Sequence, residues 1–578
     1  MLRGENCRGY LRRVAIRAET IMMYKDWAVL ILIAVLTGVC VASFWIGVSL
    51  LWGVVERAVR MFRPIIIAFT MAGLTASHVI VRRFARIKET GCATHDVLSA
   101  YHIHNGYLDP NDTLSKALSS MLTLSLGGSA GPEGPSMLLG GGIAAVLSRK
   151  LKVSFHNLKK FFLSSAAAGV AAVFRAPFTG IFFALEIPYM RDIEYDVFLQ
   201  AVVSSVTSYA MFILVCGPTH PYVTVKQGFT LMPRVLMFSV LIGVLMAFLG
   251  RTFIKLYNLW RRCAISIRMH AGPKGPLILS VIGGAAVGLM GFMDLRCIGM
   301  GDVLLHQMMS GVYREYVAVL VLVLAMKILT TCITLNFGGV GGLFIPTLFI
   351  GAVFSLAFAE SLGLTPLDVY VAVGMASMLA SCFKMLFTPV MFVAEVYGPF
   401  SIIPVSLASI VSYILSGQVS IVKPQFRHRI GPKVVAFSEL LYTAVEDRPE
   451  VLRKLRVRDA MTTRVVVIRS NLRVREALSI ARRYGFTIYP VVDGNDMLLG
   501  YVSMDELVSL FEEDPKIPVT HALKSAVMVR PDESLHKAGQ RLAESGEDAC
   551  FVVDKSGRLM GMLLAKDVAR LLLRILFT

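Results

Sequence analysis

Ionisable side chains are scarce across most of this chain, and one of them stands in a special place. Glu133 sits within Gly131-Pro132-Glu133-Gly134-Pro135, between apolar runs near 114–127 and 136–148. A charge at the centre of a bilayer costs about 2.5–3.5 kcal/mol on insertion scales, so an intramembrane carboxylate is expected to do work. The bland reading puts Glu133 in a turn outside the membrane. Against it stands a second Gly/Pro-broken segment, Gly342-Leu343-Phe344-Ile345-Pro346, which also opens an apolar run. A helix start offers unpaired N–H groups and partial positive charge. Two such starts meeting at membrane depth would make an anion site without Lys or Arg.

The elements that must hold these segments are apolar helices. The 578 residues are 55% hydrophobic and 17% charged, well away from the roughly 25% charged residues of soluble chains. Apolar runs lie near 27–55, 64–81, 114–127, 136–148, 161–174, 176–188, 197–216, 235–254, 276–293, 316–335, 343–359, 369–382, 385–397 and 401–416. Many are shorter than the roughly 20 residues of a full crossing. Broken backbone at that depth survives only where protein or a wet cavity surrounds it. The runs also repeat. Residues 167–186 align without gaps on 376–395, pairing Phe174 with Phe383, Thr179 with Thr388 and Glu186 with Glu395. At nearly the same offset Gly128 pairs with Gly339, Gly131 with Gly342, Pro135 with Pro346 and Gly140 with Gly351. Paired broken segments in two related halves mark the site of a transporter.

The net charge of +19 does not imply nucleic acid, because most of the excess lies before residue 424, in short loops between apolar runs. The clusters Arg82, Arg83, Arg86 and Lys88, then Arg149, Lys150, Lys152, Lys159 and Lys160, then Arg251, Lys255, Arg261 and Arg262 are expected on the cytoplasmic side, with both termini. No cleavable signal peptide is expected, since the first apolar stretch runs unbroken from about Trp27 to Val55. The nine cysteines form no CxxC pair and read as buried small residues. No HExxH occurs, the apolar runs carry few carboxylates, and no GxxxxGK[ST] is present. Those facts weigh against an intramembrane metalloprotease, a magnesium channel and a nucleotide-driven pump.

On GPEGP, GLFIP and the alanine-rich segment Ala166 to Glu186, the membrane part resembles the CLC family of chloride channels and proton-coupled chloride exchangers. The resemblance implies a multi-span α-helical fold of two inverted repeats, a homodimer with one anion pathway per subunit, and transport without bond chemistry. It makes Glu133 the gating and proton-accepting group. It makes Cys92, Gly134, Gly342, Leu343, Phe344, Ile345 and Val422 the lining of the anion sites, with chloride and protons as the carried ions and no resident cofactor. Three departures matter. Cys92, in Gly91-Cys92-Ala93-Thr94-His95, replaces a serine hydroxyl with a thiol, a weaker donor, so nitrate or another anion stays open beside chloride. Ile187 replaces the inner proton-relaying glutamate, with Glu186 next door read as a helix-end charge. Val422 replaces the inner tyrosine. His95 receives no role. Channel and exchanger both remain open.

After Lys423 a second repeat appears: 457–510 parallels 519–572, each copy reading strand, helix, strand, Asp-Gly-type turn, strand and helix. It resembles a tandem pair of CBS domains, a small α/β module that senses adenine nucleotides or supports dimers. That implies Ser503, Glu506 and Asp567 as contacts for ATP, ADP or AMP, with a purely structural role as the alternative. The expected division is a cytoplasmic segment 1–25, a transport domain 26–423, a linker 424–455, and CBS domains 456–514 and 515–578.

Overall fold

The computed structural model describes residues 2–104, 106–217, 232–310, 313–429, 455–484, 486–545, 549–564 and 571. The chain forms two units, 1–427 and 428–578.

The first unit is helical. Its helices run α1 (Leu2–Met61), α2 (Ile65–Phe84), α3 (Ala93–Ile103), α4 (Pro110–Ser125), α5 (Glu133–Lys150), α6 (Phe155–Phe174), α7 (Pro177–Glu186) and α8 (Phe198–Cys216). They continue as α9 (Pro233–His270), α10 (Gly275–Met293), α11 (Asp302–Met309), α12 (Val317–Asn336), α13 (Phe344–Ser361), α14 (Leu367–Phe383), α15 (Phe387–Val396) and α16 (Ile402–Leu415). Among the described residues seven helices are long and apolar enough to cross a membrane, while α7, α14 and α15 are apolar but shorter. Leu50, Leu214, Phe248 and Ile282 are exposed on the unit's outside, where lipid takes the place of water. The unit is an integral membrane domain.

Local chemistry sets the helix ends. Asp109 caps α4 by accepting the N–H of Asn111 at 2.9 Å, and Pro110 and Pro177 take first-turn positions that need no N–H donor. Helices α6 and α14 end on Arg175 and Lys384, both left-handed with φ of 54°. These are equivalent positions of the repeat, and a cation there meets the negative end of the helix dipole.

Two reciprocal contacts relate the halves by a local two-fold. Glu186, ending α7, accepts the N–H groups of Leu386, Phe387 and Thr388 at the start of α15 at 2.7, 2.8 and 2.7 Å. Glu395, near the end of α15, accepts those of Phe178 and Thr179 at the start of α7 at 2.9 and 2.8 Å. The C-terminal end of each helix meets the N-terminal end of the other, so they run antiparallel and the repeats are inverted. Helix α5 packs on α6 and α13 on α14 with almost no room: a Cβ at Gly140 would overlap the Ser165 carbonyl, and one at Gly351 the Gly374 carbonyl. Small residues allow this backbone approach, which is how membrane helices gain packing without a hydrophobic effect.

In the first unit β1 (Gly91–Cys92) pairs with β2 (Val340–Gly341), and the second unit holds two three-stranded sheets. In the first, β3 (Ile468–Arg469) runs parallel to β4 (Ile488–Val492), which pairs antiparallel with β5 (Leu498–Ser503). In the second, β6 (Met528–Val529), β7 (Ala549–Val553) and β8 (Leu559–Leu564) repeat that order. Helices α17 (Val474–Tyr484), α18 (Met504–Glu513) and α19 (Leu535–Ser545) accompany them. Before β3, Val465 and Val467 pack into a core shared by both sheets, where Tyr501 stacks on Phe551 at 5.6 Å. The linker residues 430–454 lie outside the described residues.

Candidate anion pathway

The two broken segments meet. Gly131 and Gly342 exchange backbone hydrogen bonds, N to O at 2.9 Å and 2.8 Å, in an isolated antiparallel bridge. Helices α5 and α13 start just beyond, at Glu133 and Phe344. In both the third residue is proline (Pro135, Pro346), which withdraws one donor and leaves the N–H groups before it for another partner. That partner is the Glu133 side chain: Oε1 accepts the Phe344 N–H at 2.5 Å, and the Ile345 N–H lies in the same cradle. Glu133 is 1% exposed, and among the described residues its Oε2 has no hydrogen-bond partner. Glycine on both sides of the bridge leaves room for the carboxylate in this position, since a Cβ at Gly131 or Gly342 would overlap it and displace the side chain. Glu133 is enclosed by protein between the two helix starts and not held in an exposed turn.

The sequence-expected residues gather here. Leu343 is the N-cap of α13, and Leu343, Phe344 and Ile345 are fully buried. Gly134 lies one residue into α5, where an added Cβ would come within 3.2 Å of Gly342 Cα and of the Ala93 Cβ. Cys92 is the buried N-cap of α3. It belongs to a two-residue strand, β1 (Gly91–Cys92), that runs parallel to β2 (Val340–Gly341), so Cys92 faces Gly341. Val422 is fully buried, and His95 holds the preceding Ile421 carbonyl at 3.2 Å, tying that segment to the start of α3. Three helix starts, α3, α5 and α13, thus converge, and the segment carrying Val422 is tied to the first of them.

Glu186 takes four donors, the fourth being the Thr388 hydroxyl at 2.6 Å. Its carboxylate is spent on α15, which agrees with the helix-end reading. Ile187 beside it is fully buried.

Several participants escaped the sequence reading. Phe344 is ringed by Phe174, Phe392, Phe383 and Phe183, with centroids 5.0, 5.5, 5.8 and 6.2 Å away. The wall behind the Phe344 N–H is therefore dry, and a lower dielectric strengthens any charge placed there. The repeat pairing of Phe174 with Phe383 was the available signal. Two buried lysines were also missed: Lys116 pairs with Asp96 at 2.8 Å, and Lys327 donates to the Gly299 carbonyl at 2.8 Å over the Phe349 ring. Ser129 and Thr331 bond through their hydroxyls at 2.9 Å, fixing the loop before α5 to α12.

In the second unit Ser503 caps α18, its Oγ accepting the Glu506 N–H at 3.3 Å, and Glu506 pairs with Lys524 at 2.5 Å. Asp567 lies outside the described residues.

Comparison with known proteins agrees with this fold. Residues 72–417 match the family model described as voltage gated chloride channel, and residues 457–513 and 519–574 each match the CBS domain. The chain is 24% identical over 393 residues to an uncharacterized protein of Methanocaldococcus jannaschii, covering 66% of this chain and 95% of that one. It is 27% identical over 317 residues to the H(+)/Cl(-) exchange transporter ClcA of Vibrio parahaemolyticus, covering 52% and 67%. Among solved structures, a eukaryotic CLC transporter superposes with a TM-score of 0.66 at 16% identity, covering 95% of this chain and 98% of that one. The chain belongs to the CLC family of chloride channels and exchangers and carries a tandem pair of CBS domains.

Proposed function

We propose that the protein carries chloride across a membrane along the path between Cys92, Glu133 and Phe344, and that the Glu133 carboxylate is its gate. The observation that carries this is the 2.5 Å contact from Phe344 N–H to Glu133 Oε1. A carboxylate is the side chain that can take a halide's place at a helix start, and it leaves when protonated or displaced. The unpartnered Oε2 is the oxygen positioned to take that proton.

Conduction without a fixed proton stoichiometry is the preferred mode. Ile187 carries no proton, and Glu186 already accepts four hydrogen bonds. Coupled exchange is the second reading, favoured by the similarity to an exchange transporter. The reversal potential of reconstituted full-length protein under a chloride gradient, with pH varied on one side, separates them. A reversal fixed by chloride supports conduction; one that tracks pH supports exchange.

The N-terminal side of α1 is assigned to the cytoplasm. Lys25 reaches the Lys152 carbonyl at 3.5 Å, Arg149 the Gly106 carbonyl at 3.3 Å, and Arg86 pairs with Asp109 at 2.9 Å. The basic segments and the α1 entry thereby share one end of the bundle, the end the positive-inside rule places in the cytoplasm. For the CBS pair a supporting role is preferred, because Ser503 and Glu506 are already engaged within the fold; an adenine nucleotide would have to compete with Lys524.

A further inference from the structure

Beside the C-terminal end of α12 lies a cation-lined space that the transport reading does not use. His78, Arg82, Lys88, Thr90, Arg268 and Pro276 line a cavity of about 270 Å³. A water takes about 30 Å³, so the space suits a polyatomic group better than a bare halide. Three of the six lining residues are Lys or Arg and none is acidic; Glu89, between Lys88 and Thr90, is exposed, and its charge acts on Arg268 from outside the lining, one carboxylate against three cations. Two nitrogens at the cavity lack partners among the described residues. His78 is 6% exposed and its Nε2 is unpaired; Arg268 donates through Nη2 to the Asn336 carbonyl at 2.7 Å, but its Nε is buried and unpaired. Unsatisfied buried donors are costly and rare. An anion with several acceptor oxygens would take the Arg268 Nε–H, and the His78 ring in its Nε2–H tautomer, and a guanidinium fork, an ammonium and a hydroxyl together suit phosphate.

The cavity walls are attached to the segment that presents Phe344. Arg268 holds Asn336, the last residue of α12. Thr90 leads into Gly91, which pairs with Val340. A Cβ at Gly338 would stand 3.4 Å from the His78 Cβ. Whatever fills the cavity therefore bears on residues 336–341, immediately before the α13 start.

We propose that this cavity binds a phosphate-bearing anion, either a lipid headgroup or a free phosphate, and that its occupancy adjusts anion transport through residues 336–341. The binding half stands without the transport reading, whereas the adjustment rests on it.

The test uses full-length protein in neutral-lipid nanodiscs. One arm titrates inorganic phosphate by calorimetry; the other adds a phosphatidylinositol phosphate and follows its retention by native mass spectrometry. The expected result is one bound probe per chain in at least one arm, weakened at least tenfold by R268Q and by K88Q/T90V. Binding in the first arm alone identifies a soluble phosphate, and in the second alone a headgroup. Reconstituted chloride flux, measured with and without the probe that binds, should change at least twofold. Because Arg268 also caps α12, K88Q/T90V decides if R268Q fails to fold. No binding of either probe, binding unchanged in K88Q/T90V, or displacement of phosphate by low millimolar chloride overturns the site. Binding with unaltered flux, in protein whose chloride transport is established, overturns the adjustment.

Discussion

Glu133 Oε1 and the Phe344 backbone nitrogen lie 2.5 Å apart across 211 residues of sequence. The contact joins the start of one half's broken helix to the start of the other's. It places a carboxylate where unpaired N–H groups and the helix dipole favour negative charge. Removing the charge while keeping the shape separates the gate from the scaffold. Glu133→Gln is expected to retain chloride flux in proteoliposomes while flattening its pH dependence, and Glu133→Ala to do the same. Any proton movement coupled to chloride should disappear in both. A pH-dependent flux surviving in either variant would count against the gate.

The glycines at the bridge are there for space. Gly342→Ala drives a methyl into the carboxylate, and overpacking of this kind costs about 1–3 kcal/mol. The cost should fall when the carboxylate is absent. Thermal unfolding of Gly342→Ala, Glu133→Ala and the double variant is therefore expected to be non-additive, with the double variant more stable than the sum of the singles predicts. Simple additivity would show that the glycine answers to something other than Glu133.

Glu186 and Glu395 each cap the other half's helix. Glu186→Ala leaves three backbone donors and a hydroxyl at the start of α15 without their acceptor. The expected loss is about 1–3 kcal/mol, read as a lower unfolding temperature. Glu395→Ala should behave alike, since it leaves the donors of Phe178 and Thr179. If instead Glu186→Ala retains stability and abolishes proton movement, Glu186 is a relay and the structural reading of it fails.

Cys92 offers a thiol at the start of α3. Cys92→Ser restores the stronger donor, worth about 0.5–1.5 kcal/mol for one hydrogen bond. The variant should discriminate more strongly between chloride and nitrate, by roughly two- to tenfold, in bi-ionic reversal potentials. Unchanged selectivity would remove Cys92 from the lining.

In the second unit, Ser503→Ala should cost about 1 kcal/mol through loss of the α18 cap. Calorimetry of the full-length protein with ATP, ADP and AMP is expected to give no heat for the wild type. A binding isotherm with any of them, abolished by Ser503→Ala, would reverse the preference for a supporting role.

Much of the site was legible because its chemistry is local. Gly/Pro breaks between apolar runs show in the sequence wherever backbone must end short of a full crossing, and the repeat locates both breaks at once. Glu186 and Glu395 were visible as a repeated pair, but their mutual capping was not, because each acts on the other half's helix some 200 residues away. The buried lysines were less accessible still. Lys116 finds Asp96 and Lys327 finds the carbonyl of Gly299 only after folding, and an apolar run containing one lysine looks the same whether that lysine is paired inside or reaches toward lipid headgroups. The aromatic ring around Phe344 draws on α6, α7, α14 and α15, so no single window of sequence displays it.

The most direct test of the central claim is a crystal structure of Glu133→Gln grown in bromide, compared with the wild type under the same conditions. An anomalous bromide peak is expected within hydrogen-bonding distance of the Phe344 N–H in the variant, with the Glu133 carboxylate in that position in the wild type. A variant structure without bromide at the start of α13 would contradict the claim.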